Sequence, residues 1–575
     1  MRSLRLSAMF AIALAACADR TEHPTAPAEL PSGVALAVTA PPGASVTKQV
    51  QMPSGMNAPP FDVPRYLTLP PNFSIAVYTR IGSPRFLAVA PNGWLLASVP
   101  GAGKVVLIRP NGSGAPLVSD FATGLRKPHD IVFATIGGIT YIYIAETHQI
   151  NRYTYSATAL TAQGRQVIIT GLPDATTPGL GGAYGHELKN IAIDSNGKLY
   201  VSIASTCNVC ASDTQSNPVR GSIYVYNADG TGGRLYARGL RNAEGLAFPP
   251  GTNTLWVVVN NRDNIAYPFN DGTGNYGKVI PSYVDNHPPE EFTSVRDGGN
   301  YGWPFCNPNP DTPSGLDNMP FDLDYQLNAN GQTNCATMDR VVKGIQAHSA
   351  PLGLTFLGNT NIASPYRQGV VIGLHGSWNR TVKTGYKFVY FPWDPATQQP
   401  AVQQDFVTGW LSGSTFWGRP VDMAVDAQGN MFISDDKSGT IYKLTYSAPP
   451  PPPPSGATVT SLTLINADTD QPIAAYDPMP TGVTLNLRTL PTRNLNIRAN
   501  TNPARVGRVR FAYDAIANYR TEYQPPYAFA GDGNGVGYNP WTPTLGSHTV
   551  RAIAYDATTG APGAAHVVNF TVIDQ

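Results

Sequence analysis

The chain has 575 residues, enough for more than one domain, and only 13% of them are charged. Lys and Arg number 39 against 38 Asp and Glu, so the net charge of +1 gives no field for nucleic acid or an acidic surface. High Gly and Pro, 56 and 53 residues, with abundant Val, Thr and Tyr, indicate a turn-rich all-β protein.

Reading from the N-terminus, Arg2 and Arg5 precede an apolar, small-residue run from Leu6 to Ala16. This is the pattern of an export signal, too short to span a bilayer as a stable helix. The run ends Leu14-Ala15-Ala16-Cys17, which resembles a bacterial lipobox. That implies cleavage before Cys17, acylation of its thiol and a protein held at a membrane in the periplasm or on the cell surface. The alternative is an ordinary signal peptide with an incidental Cys. Residues 18–62 are rich in Ala, Pro, Thr and Ser and read as a flexible tether.

From 63 to 446 one pattern recurs six times: a polar residue, a short apolar run, a turn and a second β-rich run. The first copy is Pro84 to Val89 followed by Trp94 to Val99, and the second is His129 to Phe133 before Tyr141 to Ile144. The third and fourth are Leu188 to Ile193 before Leu199 to Ile203, and Asn242 to Phe248 before Leu255 to Val259. The last two are Leu352 to Phe356 before Val370 to Leu374, and Arg419 to Val425 before Met431 to Ser434. Such repeats predict a six-bladed β-propeller, with the polar residue of each repeat at one mouth of the central channel. The longest interval, 261–347, carries long loops.

Pro449 to Pro454 is an unbroken proline run, so residues 447–457 form a stiff linker. Beyond it, 458–575 holds about seven strand candidates whose alternation predicts an immunoglobulin-like β-sandwich. Tyr523, Tyr527 and Trp541 are candidates there for carbohydrate contact. Besides Cys17 the chain has Cys207, Cys210, Cys306 and Cys335. An even number in an exported chain suggests two disulfides, naturally Cys207–Cys210 and Cys306–Cys335, although sequence does not fix connectivity. Ala211 after the CxxC excludes c-type haem attachment, and no second Cys or His pair completes a zinc site.

Five segments carry a resemblance. They are Gly185-His186 to Ile193, Gly239-Leu240-Arg241-Asn242 to Phe248, Ser294 to Pro304 around Asp297, Leu374-His375 to Arg380, and Trp417-Gly418-Arg419 to Asp422. In order and in register, they resemble the soluble pyrroloquinoline-quinone-dependent sugar dehydrogenases, on the sorbosone and pyranose side of the family. The resemblance implies hydride transfer from the C1 hydroxyl of an aldose-like sugar, or from a sorbosone-like aldehyde, to the quinone. It also implies His186 as the base and Ca²⁺ as a Lewis acid on the quinone carbonyl.

The residue types suit that chemistry. The quinone carries three carboxylates, and guanidinium forks match carboxylates best. The repeats place Arg85, Arg241, Arg380 and Arg419 near the mouth, with Lys383, Asn242 and His375 as further cofactor contacts. Histidine titrates near neutral pH and serves as a base there. His129, His348, Tyr301 and Trp303 are candidates for substrate. For calcium, a hard cation that takes oxygen ligands, the candidate loop holds Asn261 and Asp263. The Gln-Gly-Pro calcium loop of the glucose branch is absent, and Glu244 stands where that branch has Gln. Each arginine also has a plainer reading, as a bridge between blades through backbone carbonyls.

Electrons would leave to a separate acceptor, a cytochrome or a quinone, since the chain has no haem motif. Two rivals remain. A propeller lactonase or other metal-dependent hydrolase wants a carboxylate-rich channel, whereas the recurring residues here are basic. A non-catalytic propeller binding surface glycan or protein predicts no quinone uptake.

Overall fold

Each repeat becomes the two inner strands of one antiparallel sheet, because its apolar runs bury on both faces while the polar turn reverses the chain. A computed structural model describes residues 45–112, 114–358, 361–362, 366–447, 456–533 and 537–575. The all-β class holds. Among the described residues the only α-helix is the single turn Pro281–Val284, and no helix is long and apolar enough to cross a membrane.

Two compact units divide between Ala448 and Pro449. In the first, six sheets of four or five strands follow one another along the chain. Their innermost strands are Leu87–Val89, Ile131–Ile136, Ile191–Ile193, Ala243–Ala247, Pro351–Phe356 and Pro420–Val425. Each touches the next, and the last touches the first, so they line a closed circuit. The sixth sheet takes its outer strand, Phe73–Arg80, from the N-terminal end, where it pairs with Thr440–Tyr446 and fastens the ring. The 261–347 interval adds a fifth strand to two sheets: Gly299–Asn300 to the third and Asp317–Met319 to the fourth.

The tether expected over 18–62 is shorter than that reading. Val46–Gln49 pairs with Tyr66–Leu69, and Phe61 is buried against Trp417 and Tyr442. The Arg80 guanidinium donates to the Ala58 and Pro59 carbonyls at 2.7 and 2.8 Å. A proline-rich stretch without periodicity is here fixed by one aromatic anchor and one arginine fork. Cys17 and the proline run lie outside the described residues.

In the second unit, Thr458–Asn466 and Leu495–Asn502 belong to one sheet. Val483–Asn486, Arg508–Tyr513, Ile516–Glu522, Gly546–Tyr555 and His566–Ile573 form another. Both sheets bury apolar residues in a shared core that includes Leu462, Ile497, Phe511, Phe529 and Phe570. Tyr527 is 1% exposed and holds Val506 through its hydroxyl, which removes it as a carbohydrate contact.

Candidate active site

The residues just before the innermost strands gather at one end of the circuit. Arg85, His129, His186, Arg241, His348 and Arg419 come one from each sheet, since each lies where its chain enters the ring.

On one side, Arg85 Nη1 donates to Asp436 Oδ2 at 2.8 Å, and His375 Nε2 donates to Asp436 Oδ1 at 2.9 Å. Burial, with Arg85 and Arg419 nearby, pushes the His375 pKa down to about 4 against the pull of Asp436. Asp436, despite its burial, is held well below the usual carboxylate range by His375 and Arg85. Arg419 donates to the carbonyls of His375 and Gly376 at 3.1 Å each, and its guanidinium lies 6.0 Å from the Phe416 ring. The ammonium groups of Lys383 and Lys437 stand 6.0 Å from the same ring. Four cationic side chains therefore converge around Asp436 and Phe416.

Across the channel, His186 Nδ1 donates to the Ser205 carbonyl at 2.9 Å. That bond fixes the tautomer and leaves Nε2 as the unprotonated nitrogen. Burial, with the charge of Arg241, lowers the His186 pKa to about 4. Between the two sides Glu244 accepts from His129 Nε2 at 3.2 Å and from Asn242 Nδ2 at 3.1 Å. Despite burial, these bonds and the nearby Arg85 bring its pKa to about 2.

Several expected contacts are corrected. His129 is 0% exposed, so its role is to hold Glu244 rather than to touch a substrate. Tyr301 and Trp303 are 2% and 4% exposed. Tyr301 donates its hydroxyl to the Ser294 carbonyl, and Trp303 its indole N–H to the Asn208 carbonyl, so both rings are core. His348 is buried, with Nε2 on the Val284 carbonyl at 2.7 Å and Nδ1 3.7 Å from Asp263. Burial opposes its charge, but Asp263, Glu290 and that carbonyl raise its pKa.

Arg241 and Arg380 follow the plainer reading. Arg241 spends its donors on the Asn208, Asn260 and Asn261 carbonyls and on Asn208 Oδ1. Arg380 donates to the Val382, Asp285 and Ala347 carbonyls.

Asn261 and Asp263 do not form a calcium cage. The Asn261 amide donates to Pro289 and Glu291, its carbonyl accepts from Arg241, and Asp263 faces Arg241 and His348. Among the described residues no group of three or more His, Cys, Asp or Glu side chains is placed to hold a metal ion.

Sequence reasoning missed Asp436, Lys437, Ser205 and Trp378. Asp436 and Lys437 follow the last repeat directly, and that position was the available signal. Trp378, 66% exposed, lies in the same loop as His375. Both expected disulfides, Cys207–Cys210 and Cys306–Cys335, are present.

A closed ring of sheets with four cationic side chains and one oriented imidazole at its mouth defines a β-propeller. The chain belongs to the TrAA12-like family, whose profile matches residues 68–447. It is 26% identical over 344 residues to the pyrroloquinoline quinone-dependent pyranose dehydrogenase of Coprinopsis cinerea, covering 52% of this chain and 43% of that protein. It therefore spans less than half of that relative's length. It is 24% identical over 416 residues to the pyrroloquinoline quinone-dependent sugar dehydrogenase of Hypocrea jecorina, covering 65% and 87% of the two chains. The solved holo form of the pyranose dehydrogenase PQQ domain from Coprinopsis cinerea superposes with a TM-score of 0.55 at 20% identity, over 69% of this chain and all of that one.

Proposed function

We propose that the protein is a membrane-anchored, exported sugar dehydrogenase whose six sheets are the blades of a six-bladed propeller, joined to an immunoglobulin-like sandwich. The observation that carries the reading is the pairing of a cationic cluster with an imidazole whose acceptor nitrogen is free. Arg85, Arg419, Lys383 and Lys437 offer N–H donors that suit the carboxylates of pyrroloquinoline quinone. Arg241 and Asn242 act one step back, holding the loop and Glu244. Bound there, the quinone supplies the hydride acceptor.

The rest falls to the chain's own side chains. His186 takes the proton of the sugar's C1 hydroxyl at Nε2 while Ser205 anchors Nδ1. Its low pKa keeps the ring neutral, and therefore basic, at any pH above about 4. Trp378 offers an exposed aromatic face for the sugar ring. The aldose leaves as its lactone, and a separate cytochrome or quinone takes the electrons. Asn261 and Asp263, the residues expected to hold calcium, are engaged with Pro289, Glu291, Arg241 and His348.

The test is reconstitution of the purified protein with pyrroloquinoline quinone, with and without Ca²⁺, followed by dye reduction over a panel of aldoses and pyranoses. Uptake of the quinone with sugar-dependent dye reduction is expected. A protein that takes up no quinone, seen by absorbance after gel filtration, is not this enzyme.

A further inference from the structure

The four-residue loop closed by Cys207–Cys210 lies between His186 and Arg241, and Asn208 within it is unusually well connected. Its carbonyl accepts Arg241 Nε at 3.1 Å and Trp303 Nε1 at 3.2 Å. Its Oδ1 accepts Arg241 Nη2 at 3.1 Å and the Asp263 N–H at 2.7 Å, while its Nδ2 donates to the Asp263 carbonyl at 2.8 Å. One residue thus ties together three segments distant in sequence. The start of the same loop frames the imidazole. The Ser205 N–H donates to the Arg241 carbonyl at 2.8 Å, the Ser205 carbonyl holds His186 Nδ1, and the Thr206 carbonyl accepts the Gly185 N–H at 3.2 Å. At the far side, Thr206 is bound by Asp213, itself paired with Arg220.

We propose that Asn208 is a positioning residue, pre-set by the Cys207–Cys210 bridge, that holds Arg241 and the 261–263 loop in place against His186. A side chain making that many bonds loses several rotamers on ordering. A short covalent ring removes much of that cost in advance, which is how a site is held to the tolerance that chemistry needs. The other bridge, Cys306–Cys335, staples the long loop around Met319 and Phe321 and makes no such contact with Arg241. The charged groups acting on His186 are Arg241, Glu244 and Asp263, so a displaced Arg241 changes its proton affinity.

The assignment of His186 as base rests on the dehydrogenase reading, but the first measurement does not. In full-length protein without quinone, ¹³C-labelled histidine is titrated by NMR, with the His186 signal identified by its loss in His186→Asn. In Asn208→Ala, and in Cys207→Ser/Cys210→Ser, the His186 midpoint is expected to rise by roughly one unit toward the free value. In Cys306→Ser/Cys335→Ser it is expected to stay, although the melting temperature falls. Should Asn208→Ala fail to fold, Asn208→Ser, whose short hydroxyl does not reach Arg241 and Asp263 as the amide does and adds no charge, again predicts a rise. An unmoved midpoint in the folded Asn208 variants, or an equal rise in the Cys306 and Cys335 variant, overturns the proposal. With quinone bound, the acid limb of kcat/KM should move by the same amount as the NMR midpoint. If the midpoints move as expected but the wild type oxidises no sugar, the positioning role stands and the dehydrogenase reading falls.

Discussion

At the scale of single residues, the four arginines differ in which groups their N–H donors hold. Arg85 pairs with the Asp436 carboxylate and Arg419 rests on the His375 and Gly376 carbonyls beside it, whereas Arg241 and Arg380 brace the loops at 208, 260–261, 285 and 347. Sequence placed all four near the mouth. It did not separate them, because the carbonyls in question belong to loops at 208, 260–261, 285 and 347, far from each arginine in the chain. Tyr301 and Trp303 were likewise misplaced, since their hydroxyl and indole N–H are spent on the Ser294 and Asn208 carbonyls. Two outcomes follow. Arg419→Ala should weaken quinone binding at least 10-fold, measured by equilibrium dialysis, while Arg380→Ala should chiefly lower the melting temperature. His186→Asn should leave quinone uptake intact and cut kcat by about 10²-fold or more. With its pKa near 4, the His186 imidazole is protonated only as pH falls through that value, so, if it acts as the proposed base, kcat/KM in stopped-flow assays should stay flat from neutral pH down to about pH 5.

At the scale of elements, the innermost strands are tied to one another by buried carboxyls at matching positions. Asp422 of the sixth accepts the Leu87 N–H of the first at 2.9 Å, and Asp130 of the second accepts the Ile191 N–H of the third at 2.9 Å. Where the fourth and fifth strands carry Gly245 and Gly353 instead, a Cβ would collide with the neighbouring strand, on Leu352 and Asp422 respectively. The repeat was legible in sequence because alternating apolar runs and turns need only local residues. The packed segment 45–62 was not, since a proline-rich stretch shows no period and its anchor, Phe61, acts through Trp417 and Tyr442. Burial raises the Asp422 pKa to about 8 and that of Asp130 to about 7. The folded state therefore holds protons that the unfolded chain, with carboxyls near 4, has released, and stability falls as pH rises from about 4 to 8. Asp422→Asn keeps the acceptor for Leu87 and removes that titration. Its melting temperature, followed by circular dichroism from pH 5 to pH 8, should fall less steeply than the wild type's. A parallel pair of curves would show that Asp422 is not the group that titrates.

At the scale of the whole molecule, each of the two units has a hydrophobic core of its own. Among the described residues, the buried core of the C-terminal unit runs from Ala457 to Val572, and the largest cluster of the first unit runs from Val50 to Leu444 with Tyr446 packed on it. A unit of a little over 100 residues buries enough surface to fold alone. Cooperative unfolding follows a shared core, so calorimetry of the full chain should resolve two transitions rather than one. A ligand that binds only the native state raises the transition of the unit that binds it, by about 2.7 kcal/mol of stability at a hundred times its Kd. Pyrroloquinoline quinone should therefore raise the transition of the propeller and leave that of the sandwich where it was. The site described above draws every residue from 85 to 437, and a ligand-dependent rise in the second transition would mean that the C-terminal unit takes part in holding the quinone.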